Sequence, residues 1–184
     1  MSGIYSRFLS ELARQKAPCV LEIGTLRWGA APGGHKADVL RANPKALYAG
    51  ADVTAGPDVD VVADAHRLAE VVTPGSLDAL LCLATLEHLA RPWVVVEQFR
   101  QVLRPGGACC VQTHQTFPYH PYPEDYWRFS TAALRVLFEG WEVLGCEHEH
   151  PARVVPARNV FPHAKDWNFE GEAWLNVAIL ARRT

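Results

Sequence analysis

The 184-residue chain lacks any apolar run approaching the roughly 18–20 residues that a membrane-crossing helix requires. No membrane partner is expected. It also lacks a charge excess: 18 Lys and Arg stand against 20 Asp and Glu, a net charge of −2. Binding to a polyanion leaves a basic footprint, so the balance argues against nucleic acid. The five cysteines are odd in number and form no Cys-x-x-Cys pair, which removes the usual motif of a redox or zinc site. Cys19, Cys82, Cys109, Cys110 and Cys146 fall in apolar, strand-like runs and read as small buried hydrophobes of a reduced, cytoplasmic protein. Gly-x-Gly-x-x-Gly is absent too, and with it the close backbone approach that a nicotinamide or flavin pyrophosphate needs. Residues 1–16 have no signal-peptide apolar centre, and there is no internal repeat. What remains is one domain with room for a substantial core and a small-molecule partner. The oligomeric state is left open, a homodimer included.

What is present is organised around Cys19-Val20-Leu21-Glu22-Ile23-Gly24. An apolar run ending in an acid and a glycine reads as a buried parallel strand turning sharply at its carboxyl end. Ligands of open α/β sheets bind outside such ends. Ile4, Phe8, Leu9 and Leu12 predict a helix before it, within 2–16. A helix is expected from about His35 to Ala42, a strand over 46–51 ending at Asp52, and a short strand over 59–62 before Asp64. A helix over about 66–72 and a strand over 77–83 come next. Pro92 at a first helical position opens a helix to Leu103, with Arg104-Pro105-Gly106-Gly107 as its stop. A strand over 108–113, a helix capped by Ser130 or Thr131, and antiparallel strands over 141–148 and 173–182 complete the series. Alternating strands and helices imply an α/β, doubly wound, mostly parallel sheet with helices on both faces.

Four consecutive strand ends thus carry groups suited to one ligand: Glu22 and Gly24, Asp52, Asp64, and Ala84 with Thr85. A carboxylate at Asp52 suits a ribose diol, Asp64 with the Ala65 backbone suits an adenine edge, and Glu22 favours a cationic group. Each acid taken singly is also an ordinary strand-end or cap residue.

The ordered set Val20-Leu21-Glu22-Ile23-Gly24, Asp52, Val62-Ala63-Asp64-Ala65, Leu77-Asp78-Ala79-Leu80, Leu86-Glu87-His88-Leu89 and Val102-Leu103-Arg104-Pro105-Gly106-Gly107 resembles the small single-domain class I S-adenosylmethionine-dependent methyltransferases. The resemblance covers about residues 18–145. It implies a seven-stranded Rossmann-like sheet with an antiparallel last strand, and S-adenosylmethionine across the ends of the first four strands. It also implies a cofactor site of Glu22, Gly24 and Thr25 at the methionine end, Asp52 and Val53 at the ribose, Asp64 and Ala65 at the adenine, and Leu83 and Ala84 along its side. The chain departs from the family where a glycine-dense loop is usual, reading Gly24-Thr25-Leu26-Arg27-Trp28-Gly29.

On this reading, residues 1–17 form a helix, 18–113 the cofactor core, and 114–129 and 149–170 substrate or lid loops of a single domain. Segment 114–129 is dense in histidine, proline and aromatics. His114 is the first candidate general base and His120 the second, each equally readable as structural. Tyr119, Asp125, Tyr126 and Arg128 would orient the acceptor. Glu87-His88 reads as a helix cap or as part of the substrate side. Glu147-His148-Glu149-His150 with His163 invites a metal reading, but spacing identifies no third ligand and no metal is expected. The expected activity is methyl transfer to a small acceptor, a natural product or a sugar-like metabolite. The competing readings are a catalytically silent binding or regulatory protein and a cofactor-assisted rearrangement such as cyclisation.

Overall fold

The computed structural model describes residues 3–26, 34–154 and 172–184. Arg27, Trp28, Gly29, His163 and most of the expected loop 149–170 lie outside the described residues. The elements follow as α1 (Gly3–Ala13), β1 (Cys19–Ile23), α2 (Gly34–Ala42), β2 (Leu47–Asp52), β3 (Val61–Val62), β4 (Leu77–Leu83), α3 (Pro92–Val102), β5 (Leu103–His114), α4 (Thr131–Leu137), β6 (Glu142–Ala152) and β7 (Ala173–Arg182). They build one seven-stranded sheet in the order β3-β2-β1-β4-β5-β7-β6. β7 runs antiparallel to both of its neighbours, and the other pairs are parallel. This is the doubly wound sheet that the alternating pattern implies.

The two-residue period of the strands divides the core. Leu80, Cys82, Cys109 and Val111 face the side covered by Phe99 of α3 and Leu134 of α4. Val20, Leu81, Cys110 and Leu180 face α1 and α2, packing with Ile4, Phe8, Leu12 and Val39. Fully burying one such side chain stabilises the fold by about 1.5–3 kcal/mol. Asn43 joins the two helices on its side: its buried Nδ2 donates to Leu12 O and Gln15 O, both at 2.8 Å.

Three elements differ from the sequence reading. The Arg104–Gly107 stop lies within β5, because Gly106 N donates to Arg183 O and Arg183 N to Gly107 O, carrying pairing past Ala108. The β4–β5 register shifts there, with Leu77 opposite Leu103 and Ala79 opposite Ala108. β6 runs on to Ala152 rather than ending near 148, since β7 supplies partners at Trp174 and Ala173. The helix expected over 66–72 is instead a 3₁₀ segment, Ala65–Glu70, interrupted at Arg67. Pro92 does open α3, and Ser130 rather than Thr131 caps α4, its side chain accepting from Ala133 N.

Candidate active site

β3, β2, β1 and β4 are adjacent and parallel, so their carboxyl ends form one edge. Gly24 leaves β1 at φ 79°, its N–H donating to Ala51 O at 2.8 Å. A β-carbon there would stand 2.1 Å from Thr85 Oγ1, so only glycine fits. Across from it, Ala84 leaves β4 at φ 48°, a left-handed conformation uncommon for a residue with a side chain. Two backbones therefore bend tightly beside each other where β1 and β4 end. Thr25 is buried, and its Oγ1 has no hydrogen-bond partner among the described residues.

The acids of this edge are already engaged within the protein. Glu22 is buried, with Oε1 2.7 Å from His35 Nδ1 and Oε2 accepting from the Tyr48 hydroxyl. Asp52 accepts from Leu26 N at 3.1 Å and Thr54 N at 3.0 Å. These bonds use two of its roughly four acceptor positions. Val53 beside it is exposed. Asp64 caps the 3₁₀ segment, its Oδ1 accepting from His66 N at 2.9 Å and lying 2.7 Å from His66 Nδ1. Burial raises the Asp64 carboxyl, but the two His66 hydrogen bonds outweigh it and hold the group below its ordinary value. Ala65 is buried beneath, and Leu83 is partly covered.

Next to Ala84, a second group of polar residues gathers at the ends of β4 and β5. Glu87 is fully buried. Its Oε2 accepts from the Thr113 hydroxyl at 2.8 Å. Its Oε1 lies 3.0 Å from His114 Nε2, off the hydrogen-bond line, and has no aligned donor among the described residues. His114 is itself buried, with Nδ1 2.9 Å from Asn176 Oδ1 and its ring stacked on Phe117 at 4.0 Å between centroids. Burial disfavours the charged imidazole, but Glu87 beside it wins and raises His114 above its ordinary value. Burial likewise pushes the Glu87 carboxyl up, and His114 brings it below its ordinary value. With both ring nitrogens facing acceptors, His114 is poorly arranged to accept a proton itself.

Segment 114–129 is built around Arg128, which donates to Phe117 O, Pro118 O and Trp127 O. It also clamps both oxygens of the buried Asp125 side chain, at 2.5 and 2.7 Å. Asp125 Oδ2 accepts from His120 N at 2.9 Å. Asp125 and Arg128 are thus spent on shaping the segment, while Tyr119 and Tyr126 present exposed rings. His148 stacks on Trp174 at 5.5 Å, and among the described residues neither His148 nor His150 belongs to a group able to hold a metal ion. The residues that sequence reasoning missed are Thr113 and Asn176, which hold Glu87 and His114. Hydrophobic pattern gives no signal for either.

Residues 32–111 match the family model described as a methyltransferase domain. No curated protein matches the chain. Among solved structures, it is similar to an S-adenosylmethionine-dependent methyltransferase from Archaeoglobus fulgidus, at 15% identity and TM-score 0.64, over 96% of this chain and 93% of that one. It is also similar to the 1,6-didemethyltoxoflavin-N1-methyltransferase from Burkholderia thailandensis, at 16% identity and TM-score 0.63, over 97% and 77%. That structure holds 1,6-didemethyltoxoflavin and S-adenosylhomocysteine. A chain of the Haloferax volcanii complex between the Trm112 methyltransferase activator and a methyltransferase matches at 17% identity and TM-score 0.63, over 98% and 88%. At these identities the structural likeness carries the fold: this is a class I methyltransferase fold, as the ordered motifs imply.

Proposed function

We propose that, on this class I methyltransferase fold, the chain uses S-adenosylmethionine to methylate a small-molecule acceptor by in-line displacement. The observation that carries the reading is the single edge where Glu22, Gly24, Asp52, Asp64 and Ala84 close four adjacent parallel strands. Asp52 keeps acceptor capacity for a ribose diol, with exposed Val53 beside it. Asp64 and Ala65 would receive the adenine edge. The bends at Gly24 and Ala84 would admit the methionine arm close to backbone. Glu22, held by His35 and Tyr48, supplies negative charge beneath that arm.

In the reaction, an acceptor lone pair forms a bond to the methyl carbon as the carbon–sulfur bond breaks. The bonding pair returns to sulfur and S-adenosylhomocysteine leaves. The sulfonium is already activated, so the protein contributes chiefly proximity and alignment. A hydroxyl acceptor must also lose its proton, a step that falls to the cluster around Glu87 rather than to His114 alone. Exposed Tyr119 and Tyr126 supply rings for a flat or apolar acceptor.

The test is calorimetric titration with S-adenosylhomocysteine on wild type and on Asp52→Ala, followed by acceptor screening with product masses. Binding by wild type that weakens at least tenfold in the variant supports the cofactor site. A product heavier by one methyl group supports transfer, whereas an unchanged mass points to rearrangement. If wild type does not bind, the enzyme reading falls. A protein partner is then the reading to pursue, as the activator complex of the Haloferax volcanii neighbour suggests.

A further inference from the structure

We infer that Glu87, His88, His114 and His120 form a binding site for a first-row divalent metal ion, with Zn²⁺ the ion that best suits this donor set. Glu87 Oε1 belongs to a fully buried carboxylate and has no aligned donor among the described residues. A buried charge left in that state is costly unless a cation or proton reaches it. Three imidazoles surround it, each through Nε2: His114 at 3.0 Å, His88 at 3.8 Å and His120 at 4.0 Å.

The far side of each ring points the same way. His88 Nδ1 lies 2.6 Å from Glu124 O, His114 Nδ1 2.9 Å from Asn176 Oδ1, and His120 Nδ1 3.0 Å from Pro118 O. For His88 and His120, an acceptor opposite Nδ1 makes that nitrogen the protonated one and leaves the Nε2 lone pair directed inward; at His114, whose Nε2 faces Glu87, a metal ion would take the place of the proton between them. This is the outer-layer arrangement that fixes the tautomer of metal-ligating histidines. Glu87 is held likewise, by the Thr113 hydroxyl on its second oxygen.

The spacing fits as well. Ligand atoms of Glu87, His114 and His120 all lie within 4.8 Å of one another. Tetrahedral ligands with bonds of about 2.1 Å stand about 3.4 Å apart, and Glu87 Oε1 lies 3.0–4.0 Å from the three Nε2 atoms, while His88 groups with His120 and Asp125 on the outer side of the cluster. Asp125 belongs to the outer layer: it lies 3.2 Å from His120 Nδ1, and Arg128 holds both its oxygens. Three imidazoles and one carboxylate suit zinc or its first-row neighbours better than magnesium or calcium. His88 and His120 are partly exposed, which gives the ion a route in.

The test uses the full chain, stripped with chelator and titrated with Co²⁺, whose visible bands report coordination, and with Zn²⁺ in competition. Neither cofactor nor acceptor is needed, so the result is independent of the methyl-transfer reading. Wild type should saturate at one equivalent, with Zn²⁺ displacing Co²⁺. His88→Ala and His120→Ala should each weaken binding at least about tenfold, whereas His148→Ala, on the β6 surface, should bind as wild type. Glu87 is buried and bonded to Thr113, so Glu87→Gln is informative only if its circular dichroism matches wild type; the two partly exposed histidines carry the test. Absence of a saturating band in wild type, or equal binding by the His88 and His120 variants, would overturn the proposal. The cluster would then be an imidazolium–carboxylate pair.

Discussion

Thr85 Oγ1 occupies the space that a β-carbon on Gly24 would need, 2.1 Å away, and Thr85 Cβ itself would be 2.9 Å away. The ends of β1 and β4 are thereby fitted to each other by one missing side chain. Gly24→Ala should destabilise the protein by at least about 2 kcal/mol, from left-handed backbone strain plus overpacking. The melting temperature should fall by about 4 °C or more. Adding Thr85→Ala should recover only part of the loss, because Cβ remains close and φ stays positive. Thermal denaturation of the two variants checks this, and full recovery would contradict it.

Asp64 has two roles that substitution separates. As the cap of the 3₁₀ segment it should lose about 1 kcal/mol in Asp64→Ala and very little in Asp64→Asn, whose side-chain oxygen still accepts. As a cofactor residue it should weaken S-adenosylhomocysteine binding in both variants. Equal affinity of Asp64→Asn and wild type would leave the cap alone.

The same carboxyl sets a pH expectation. Its native value lies below the ordinary 3.8, so its stabilising effect is fully present above 3.8 and is lost only as pH falls through the native value. The stability difference between wild type and Asp64→Ala should therefore shrink as pH falls below 3.8, and a difference that grows there, measured by denaturant titration, would contradict this.

Burial raises the thiol of every cysteine, furthest for Cys82, Cys109 and Cys110, which are fully enclosed. A protonated, enclosed thiol is a poor nucleophile. Native protein should therefore release at most two thiols, Cys19 and Cys146, to an aromatic disulfide reagent, and those slowly. In denaturant all five should react.

Asn43→Ala should cost about 2–4 kcal/mol, since Leu12 O and Gln15 O both lose a buried donor. Asn43→Asp should cost at least as much, having lost the same donors and placed a charge there. Chemical denaturation would show either loss as a shifted midpoint with an unchanged slope.

Much of this was legible in the sequence because its signals are local. Pro92 and Ser130 mark helix starts by their own chemistry, and the apolar run 77–83 is β4 as observed. The strand-end acids were legible because topology alone brings parallel strand ends together. Arg104–Gly107 misled because its turn residues are real, yet Arg183, far along the chain, extends pairing over them. The polar end of β6 misled in the same way, since β7 supplies its partners. His114 and His120 were legible as candidate bases, and His148 and His150 as a possible metal pair, but sequence spacing does not show that His88, His114 and His120 share one carboxylate. The three that meet at Glu87 come from the segment after β4, the end of β5 and the loop beyond it, and only folding joins them.

The insertion of β7 between β5 and β6 has a consequence for biosynthesis. A chain made from its N-terminus can assemble β1 to β5 early, but β5 then shows a bare edge, with buried Cys109 and Val111 among its residues. Such an edge is a template for aberrant pairing. β7 closes it and at the same stroke delivers Asn176 to His114. Competence at the Glu87 cluster therefore arrives with the last strand of the sheet, and a ribosome-bound chain stalled before β7 would hold a nearly finished sheet with an unfinished site.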